Sequence, residues 1–274
     1  MAGSGTYPEL LVRGARAAGV ATVDVVAVRG STSRATRDAA DHVQTFGIGE
    51  VATAMAWIAA QNYDGAILAG QINPLSLFRT RFDATTRQWL SEMPAKNAHS
   101  VYGKLVAEFE KAGVKVMPAT CFMDDAIPGE GVLTARAPDV RELRDANYGS
   151  VIARDVGRHD VGQTVMVKDG MVLSVEAFEG TNACIKRGGK LGGRGGVVFK
   201  GAREGHDMRF DVPVVGLKTL KTMRRAGATA LAFQARRLVL LEREKVLAFA
   251  NSHGISLFGL LTDLPPAPCR VFSA

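Results

Sequence analysis

The residue best placed to do chemistry is Asp211. In MRFDVPVVG it stands between Phe210 and Val212, in a run that reads as a strand. A carboxylate there is costly unless it is paired, coordinated or used, and a salt bridge to Arg209 or a nearby lysine is the plain alternative. Two further carboxylates, Glu176 and Glu179, lie in MVLSVEAFEG, just before GTNACIKRGG, a turn and short helix that Thr181 or Asn182 is placed to cap. Between Lys186 and Arg209 the chain carries seven basic residues against two acidic ones. Carboxylates beside a basic, glycine-rich loop suit metal-assisted chemistry at phosphorus. Asp211 and Glu176 would hold a hard cation such as Mg²⁺, basic residues would meet developing negative charge, and another carboxylate would take a proton from water. The histidines at 42, 99, 159, 206 and 253 lie in unrelated segments and form no ligand spacing, although His159 adjoins Asp160 and a Gly-Gln-Thr turn.

The elements that must position these groups divide near the middle of the chain. Residues 1–130 read as strands alternating with helices, which predicts a Rossmann-like, doubly wound parallel-sheet domain. Three of its strand-to-helix junctions carry glycine: Gly3 and Gly5 around Ser4, Gly47 and Gly49, and Gly70. Glycine lets a backbone approach a phosphate closely, and ligands of open α/β sheets lie beyond the carboxyl ends of the strands. None of the three is a specific motif, and plain turns explain each as well. Only Met1 and Ala2 precede the first glycine turn, so the expectation is a native product that begins several residues earlier with a short apolar strand. Residues 131–274 read as a second, mixed α/β domain reached through a Pro- and Gly-rich linker, AIPGEGVLTARAPDV. Asp139 opens a helix, Lys168-Asp169-Gly170 is a hairpin turn, GGRGGVVFK bends into a strand, and ISLFGLL is a buried final strand.

Charge is divided in the same way. Residues 1–130 carry 12 Lys/Arg against 13 Asp/Glu, and residues 131–274 carry 22 against 14. The net charge of +7 therefore belongs to the second half and points to an anionic partner. A nucleic acid is a weak fit, because no RNP, KH or helix-turn-helix signature accompanies the charge. Apolar runs are too short to span a bilayer and no signal-peptide pattern opens the chain, which predicts a cytoplasmic protein. Cys121, Cys184 and Cys269 are widely spaced and predict reduced thiols, neither a zinc site nor a disulfide framework.

Over almost its whole length the chain resembles the LpxI-type UDP-2,3-diacylglucosamine pyrophosphatases. The matching motifs are AGSGTYP, GIGE, LAGQI, DVGQTVMVKDG, VEAFEGT and RFDVPVVG, in the family's order and separation. The resemblance implies two domains with substrate between them, and hydrolysis of UDP-2,3-diacylglucosamine to UMP and 2,3-diacylglucosamine 1-phosphate (lipid X) by water attack on the α-phosphorus, with Mg²⁺ as cofactor. It implies Asp211 as metal ligand or general base, and Thr181 and Asn182 beside Glu176 and Glu179 as the second catalytic group. It places Gly3, Ser4, Gly5, Gly47, Gly49, Gly70 and Gln71 against the uridine diphosphate, and Lys186, Arg187 and Arg209 against its phosphates. A lipid-linked substrate implies transient contact with the inner membrane, and homo-oligomerisation is left open. Two departures stand out: Asn182 replaces the commoner Asp of a GTD-like motif, and Asn97 and Ala98 replace a Gly-Asp-Asp-containing stretch. They keep two other readings alive, a hydrolase of a different nucleotide sugar and a non-catalytic binder of lipid X or a UDP-sugar.

Overall fold

A computed structural model describes residues 1–72, 80–92, 98–202 and 207–261, apart from the side chains of residues 98 and 99. The chain forms two compact units. Met1–Met123 together with Met208–Asp211 form the first, and Asp124–Asp207 with the chain from Val212 form the second. The four residues that end at Asp211 thus belong to the unit built from the other half of the sequence.

The first unit has a parallel sheet. β1 (Val25–Val28) pairs with β2 (Val43–Phe46), and Ala2 pairs in parallel with both Ala27 and Ala69. Ala66 pairs in parallel with Val116. The spatial order is therefore residues 43–46, 25–28, 1–3, 66–69 and 115–117, the 3-2-1-4-5 order of a Rossmann-like sheet. Ala2 makes its two bridges just ahead of the first glycine turn. Helices α1 (Tyr7–Ala17), α2 (Arg34–Ala39), α3 (Val51–Ala59), α4 (Ala84–Ser91) and α5 (Ala98–Lys111) accompany the sheet. Met55, Ile58, Val106 and Phe109 close a core over Val26, Leu68 and Val116.

The second unit is a six-stranded mixed sheet in the order β3-β10-β8-β6-β4-β5. Its strands are β3 (Gly131–Val132), β4 (Thr164–Lys168), β5 (Met171–Val175), β6 (Val197–Lys200), β8 (Ala230–Gln234) and β10 (Ser256–Leu260). The central β6, β8 and β10 run parallel, and β3, formed within the expected linker, pairs antiparallel with β10. Alternate residues face opposite layers. Val165, Val167, Phe199, Ala230 and Ala232 meet α6 (Val140–Gly157) through Ala146 and Ala153. Met166, Val198, Leu231 and Phe233 meet α7 (Thr181–Gly192), α8 (Leu217–Ala226) and α9 (Arg243–Ser252) through Ile185, Leu220, Met223 and Val246.

Local chemistry sets the ends of these elements. Asp139 and Glu142 make a reciprocal capping box that starts α6. Asp169 and Gly170 take φ of 52° and 76°, as a two-residue hairpin turn requires, and both of their N–H groups donate to the buried carboxylate of Asp145 at 2.9 and 2.8 Å.

One expected strand is corrected. MRFDVPVVG is a turn at residues 208–210 and irregular at 211–213, and only β7 (Val214–Val215) is a strand, paired in parallel with β9 (Val239–Leu240). The run is divided because Met208 and Phe210 are claimed by the first unit. The Met208 carbonyl accepts from the Ala119 N–H at 2.8 Å, and Phe210 stacks on Tyr102 with ring centroids 5.5 Å apart.

Candidate active site

In the second unit the chemistry collects where β5 ends, α7 begins and β6 ends. Glu176 follows the last residue of β5, and three contacts fix it. Its N–H donates to the Thr164 carbonyl at 2.8 Å. Gly162 lies against its backbone so closely that a Cβ there would sit 2.1 Å from the Glu176 carbonyl oxygen. Its Oε1 accepts from the Thr181 hydroxyl at 2.9 Å. Oε2 is buried and has no hydrogen-bond partner among the described residues.

Thr181 joins the three elements. Its hydroxyl donates to Glu176 Oε1 and accepts from Lys200 Nζ at 2.7 Å and from Thr164 Oγ1 at 3.3 Å. One proton and two lone pairs are the full capacity of a hydroxyl. Thr181 is therefore not the helix cap expected of it. The N-cap of α7 is Gly180, whose φ of 80° favours glycine, and no side chain caps the helix. Asn182 follows, with Oδ1 buried and without a partner among the described residues. Lys200, only 7% exposed, ends β6, and its register partner across the sheet is Thr164, which puts both side chains on the face that α7 covers. Sequence reasoning missed this lysine because the run VVFK looks like a core strand. The readable signal was a lysine at the carboxyl end of a parallel strand.

The other expected residues of this unit are placed differently. Glu179 accepts from Arg187 Nη2 at 2.5 Å and from the Ala177 N–H at 3.2 Å, while Arg187 also donates to the Val175 carbonyl at 2.8 Å. The Arg187 guanidinium holds the Glu179 carboxyl below the usual carboxylate range. The two thus tie the loop after β5 to α7. Lys186 is exposed. Cys184, buried behind Thr181, donates to Ser174 Oγ at 3.3 Å, and burial pushes its thiol up to about 11, so it is no nucleophile at neutral pH.

In the first unit the Gly3–Gly5 and Gly70 turns meet at the carboxyl ends of the central strands, where the strand order reverses. Ser4 N–H donates to the Gln71 carbonyl at 2.8 Å, Gln71 N–H returns to the Ser4 carbonyl at 3.0 Å, and Ser4 Oγ adds a bond of 2.9 Å to the Gln71 carbonyl. A Cβ on Gly3 would lie 2.6 Å from the Gln71 oxygen, and one on Gly70 would lie 2.8 Å from the Ser4 oxygen. These two glycines are needed for two backbones to approach each other. Gly49 is similar, with a Cβ position 2.2 Å from the Arg81 carbonyl oxygen, and the Gly47 N–H donates to the Glu50 carboxylate. Gly5, at φ 95°, borders open space. Arg209 pairs with Glu110 at 2.6 Å. The charge of Asp211 is felt by Tyr102, whose phenol is raised by burial first and by this carboxylate second. The altered Asn97 and the side chain of Ala98 lie outside the described residues.

Among the described residues no cluster of three or more His, Cys, Asp or Glu is poised to hold a metal ion, and no helix is long and apolar enough to cross a membrane. Residues 1–126 match the LpxI N-terminal domain and residues 129–258 match the LpxI C-terminal domain. The chain is 29% identical over 225 residues, covering 78% of this chain and 80% of the relative, to the UDP-2,3-diacylglucosamine pyrophosphatase LpxI of Caulobacter vibrioides.

Proposed function

The chain belongs to the LpxI family, and from that premise we propose that it hydrolyses UDP-2,3-diacylglucosamine. Water attacks the α-phosphorus, the new P–O bond forms there, and the bond from that phosphorus to the bridging oxygen breaks. UMP leaves on one side and 2,3-diacylglucosamine 1-phosphate on the other. The observation that carries the reading is the pair of buried, unpartnered acceptors, Glu176 Oε2 and Asn182 Oδ1, in a site whose hydroxyl is held by the Lys200 ammonium. Bare buried oxygens are expensive unless a donor or a cation arrives.

Each of those two oxygens is of the kind that a hard divalent cation takes, and Glu176 or Asn182 would supply Mg²⁺ with a ligand while it retained most of its waters. Such a cation would neutralise charge on the diphosphate when bound. Glu176 is also the group placed to take the proton from water, since Oε1 is held and Oε2 is not. Lys200 adds positive charge near this position in a largely water-free setting. Asp211 is proposed as a further essential carboxylate on the strength of the RFDVP motif. The substrate class implies transient contact with an anionic inner membrane from the cytoplasmic side. The test is UMP release from UDP-2,3-diacylglucosamine by the purified chain with Mg²⁺, alongside Asp211→Ala and Glu176→Gln. Release by the wild type with loss of at least a hundredfold in both variants is expected. Tight binding of the substrate without UMP would overturn the reading and favour a binding role.

A further inference from the structure

Lys200 has no assigned role, and it is a charged group that ends β6 inside the site. An ammonium that is 7% exposed is expensive to bury. Holding Thr181 in place would not require a charge. Glu176 also holds the N-terminal end of α7 through Thr181.

The valence of one oxygen shows what the charge does. A threonine hydroxyl can send its proton to any acceptor in reach. Here the two lone-pair positions of Thr181 Oγ1 are occupied by Lys200 Nζ at 2.7 Å and Thr164 Oγ1 at 3.3 Å. Its proton therefore goes to Glu176 Oε1 at 2.9 Å. An ammonium has no lone pair and acts only as a donor, so the direction of the chain cannot reverse. A neutral hydroxyl or amide at position 200 could accept instead and would let Thr181 turn away.

Resting on the function proposed above, we propose that Lys200 is a positioning residue. Through Thr181 it fixes one oxygen of Glu176, so that the other, Oε2, is the one presented to water and cation. The same geometry leaves Thr181 Oγ1 no lone pair for attack on phosphorus. Thr181 is then an orienting hydroxyl, and the reaction passes through no phosphothreonine.

The test is a set of variants assayed for UMP release over a range of substrate concentrations. Lys200→Met keeps the buried stem, and Thr181→Val keeps the shape of Thr181. Each is expected to lower kcat about a hundredfold with KM changed less than threefold. The double variant should be no worse than either single one, and Lys200→Met should add nothing to Glu176→Gln, since all act along one chain. Thr181→Ser, which restores the hydroxyl, should recover activity to within about tenfold of wild type. A raised KM with unchanged kcat in Lys200→Met would mean that the lysine meets the substrate directly, and multiplicative losses would mean independent action. Either result overturns the proposal. Crystal structures of wild type and Lys200→Met decide the point even if the wild type releases no UMP, a result that would sink only the functional reading. A Thr181–Glu176 hydrogen bond that survives unchanged in Lys200→Met would refute the positioning role.

Discussion

Replacing Glu142 should unfasten the second unit more than any other single change in α6. The side chain is 1% exposed, and its two oxygens receive four hydrogen bonds. Oε2 accepts from Arg136 Nη1 at 2.8 Å and from the Asp139 N–H at 3.0 Å, and Oε1 accepts from Arg136 Nη2 at 2.9 Å and from Thr229 Oγ1 at 2.6 Å. Arg136 also donates to the carbonyls of Gly254 and Thr229, which immediately precede the region of β10 and β8. One carboxylate thus joins the start of α6 to the entries of two central strands. Removing one member of a buried ion pair costs about 3–5 kcal/mol, and because Arg136 is 37% exposed and regains some water, the lower figure applies. With a urea m-value of about 2 kcal/mol/M, Glu142→Ala should lower the unfolding midpoint by about 1.5 M.

Far-UV circular dichroism is the probe to use, since Trp57 and Trp89 both lie in the first unit and their fluorescence reports on that unit. Acid adds a second arm. Burial pushes the Glu142 carboxyl up, but its hydrogen bonds to Arg136, Thr229 and Asp139 outweigh this and hold it below its ordinary value. A depressed carboxyl stabilises the fold fully above its unfolded pKa, about 4.3, and loses that contribution as pH falls through the folded value. The gap between wild type and Glu142→Gln should therefore narrow below about pH 4. A midpoint shift under about 0.3 M, or a gap that widens in acid, would refute the account.

Two other substitutions probe the site itself. Gly162→Ala places a methyl group 2.1 Å from the Glu176 carbonyl oxygen, so the end of β5 must move. A loss of kcat of about a hundredfold with about 1–3 kcal/mol of destabilisation is expected from steady-state kinetics and urea melts, and wild-type kinetics would count against the placement of Glu176. Asn182→Asp adds a charge to a bare oxygen, so the Mg²⁺ concentration for half-maximal UMP release should fall about tenfold, and an unchanged Mg²⁺ titration would remove Asn182 from the cation's surroundings.

What the sequence made legible was local. The Asp169-Gly170 turn, the Asp139 cap and the strands in GGRGGVVFK and ISLFGLL are decided by residues a few positions apart, and they fold as read. The Rossmann-like class of the first unit followed from the alternation of strands and helices. What could not be read depends on partners far along the chain. Gly3 and Gly70 owe their type to each other's backbones, Gly162 owes its type to Glu176, and Lys200 is explained only once Thr181 is beside it. Asp211 was misread as a strand residue because the apolar residues around it serve two units, Phe210 the first and Val215 the second.

The return of Met208–Asp211 to the first unit has a consequence for how the protein comes off the ribosome. The first 123 residues contain most of that unit, but the carbonyl that pairs with Ala119 and the ring that stacks on Tyr102 are encoded after β3 through β6. At a synthesis rate of roughly 5–20 residues per second, the nascent first unit waits on the order of 5–20 s for its last piece. During that time Tyr102 and the edge near Ala119 are uncovered. A gene cut after Met123 would make this waiting state permanent, so the first half of the reading frame alone does not encode a finished unit.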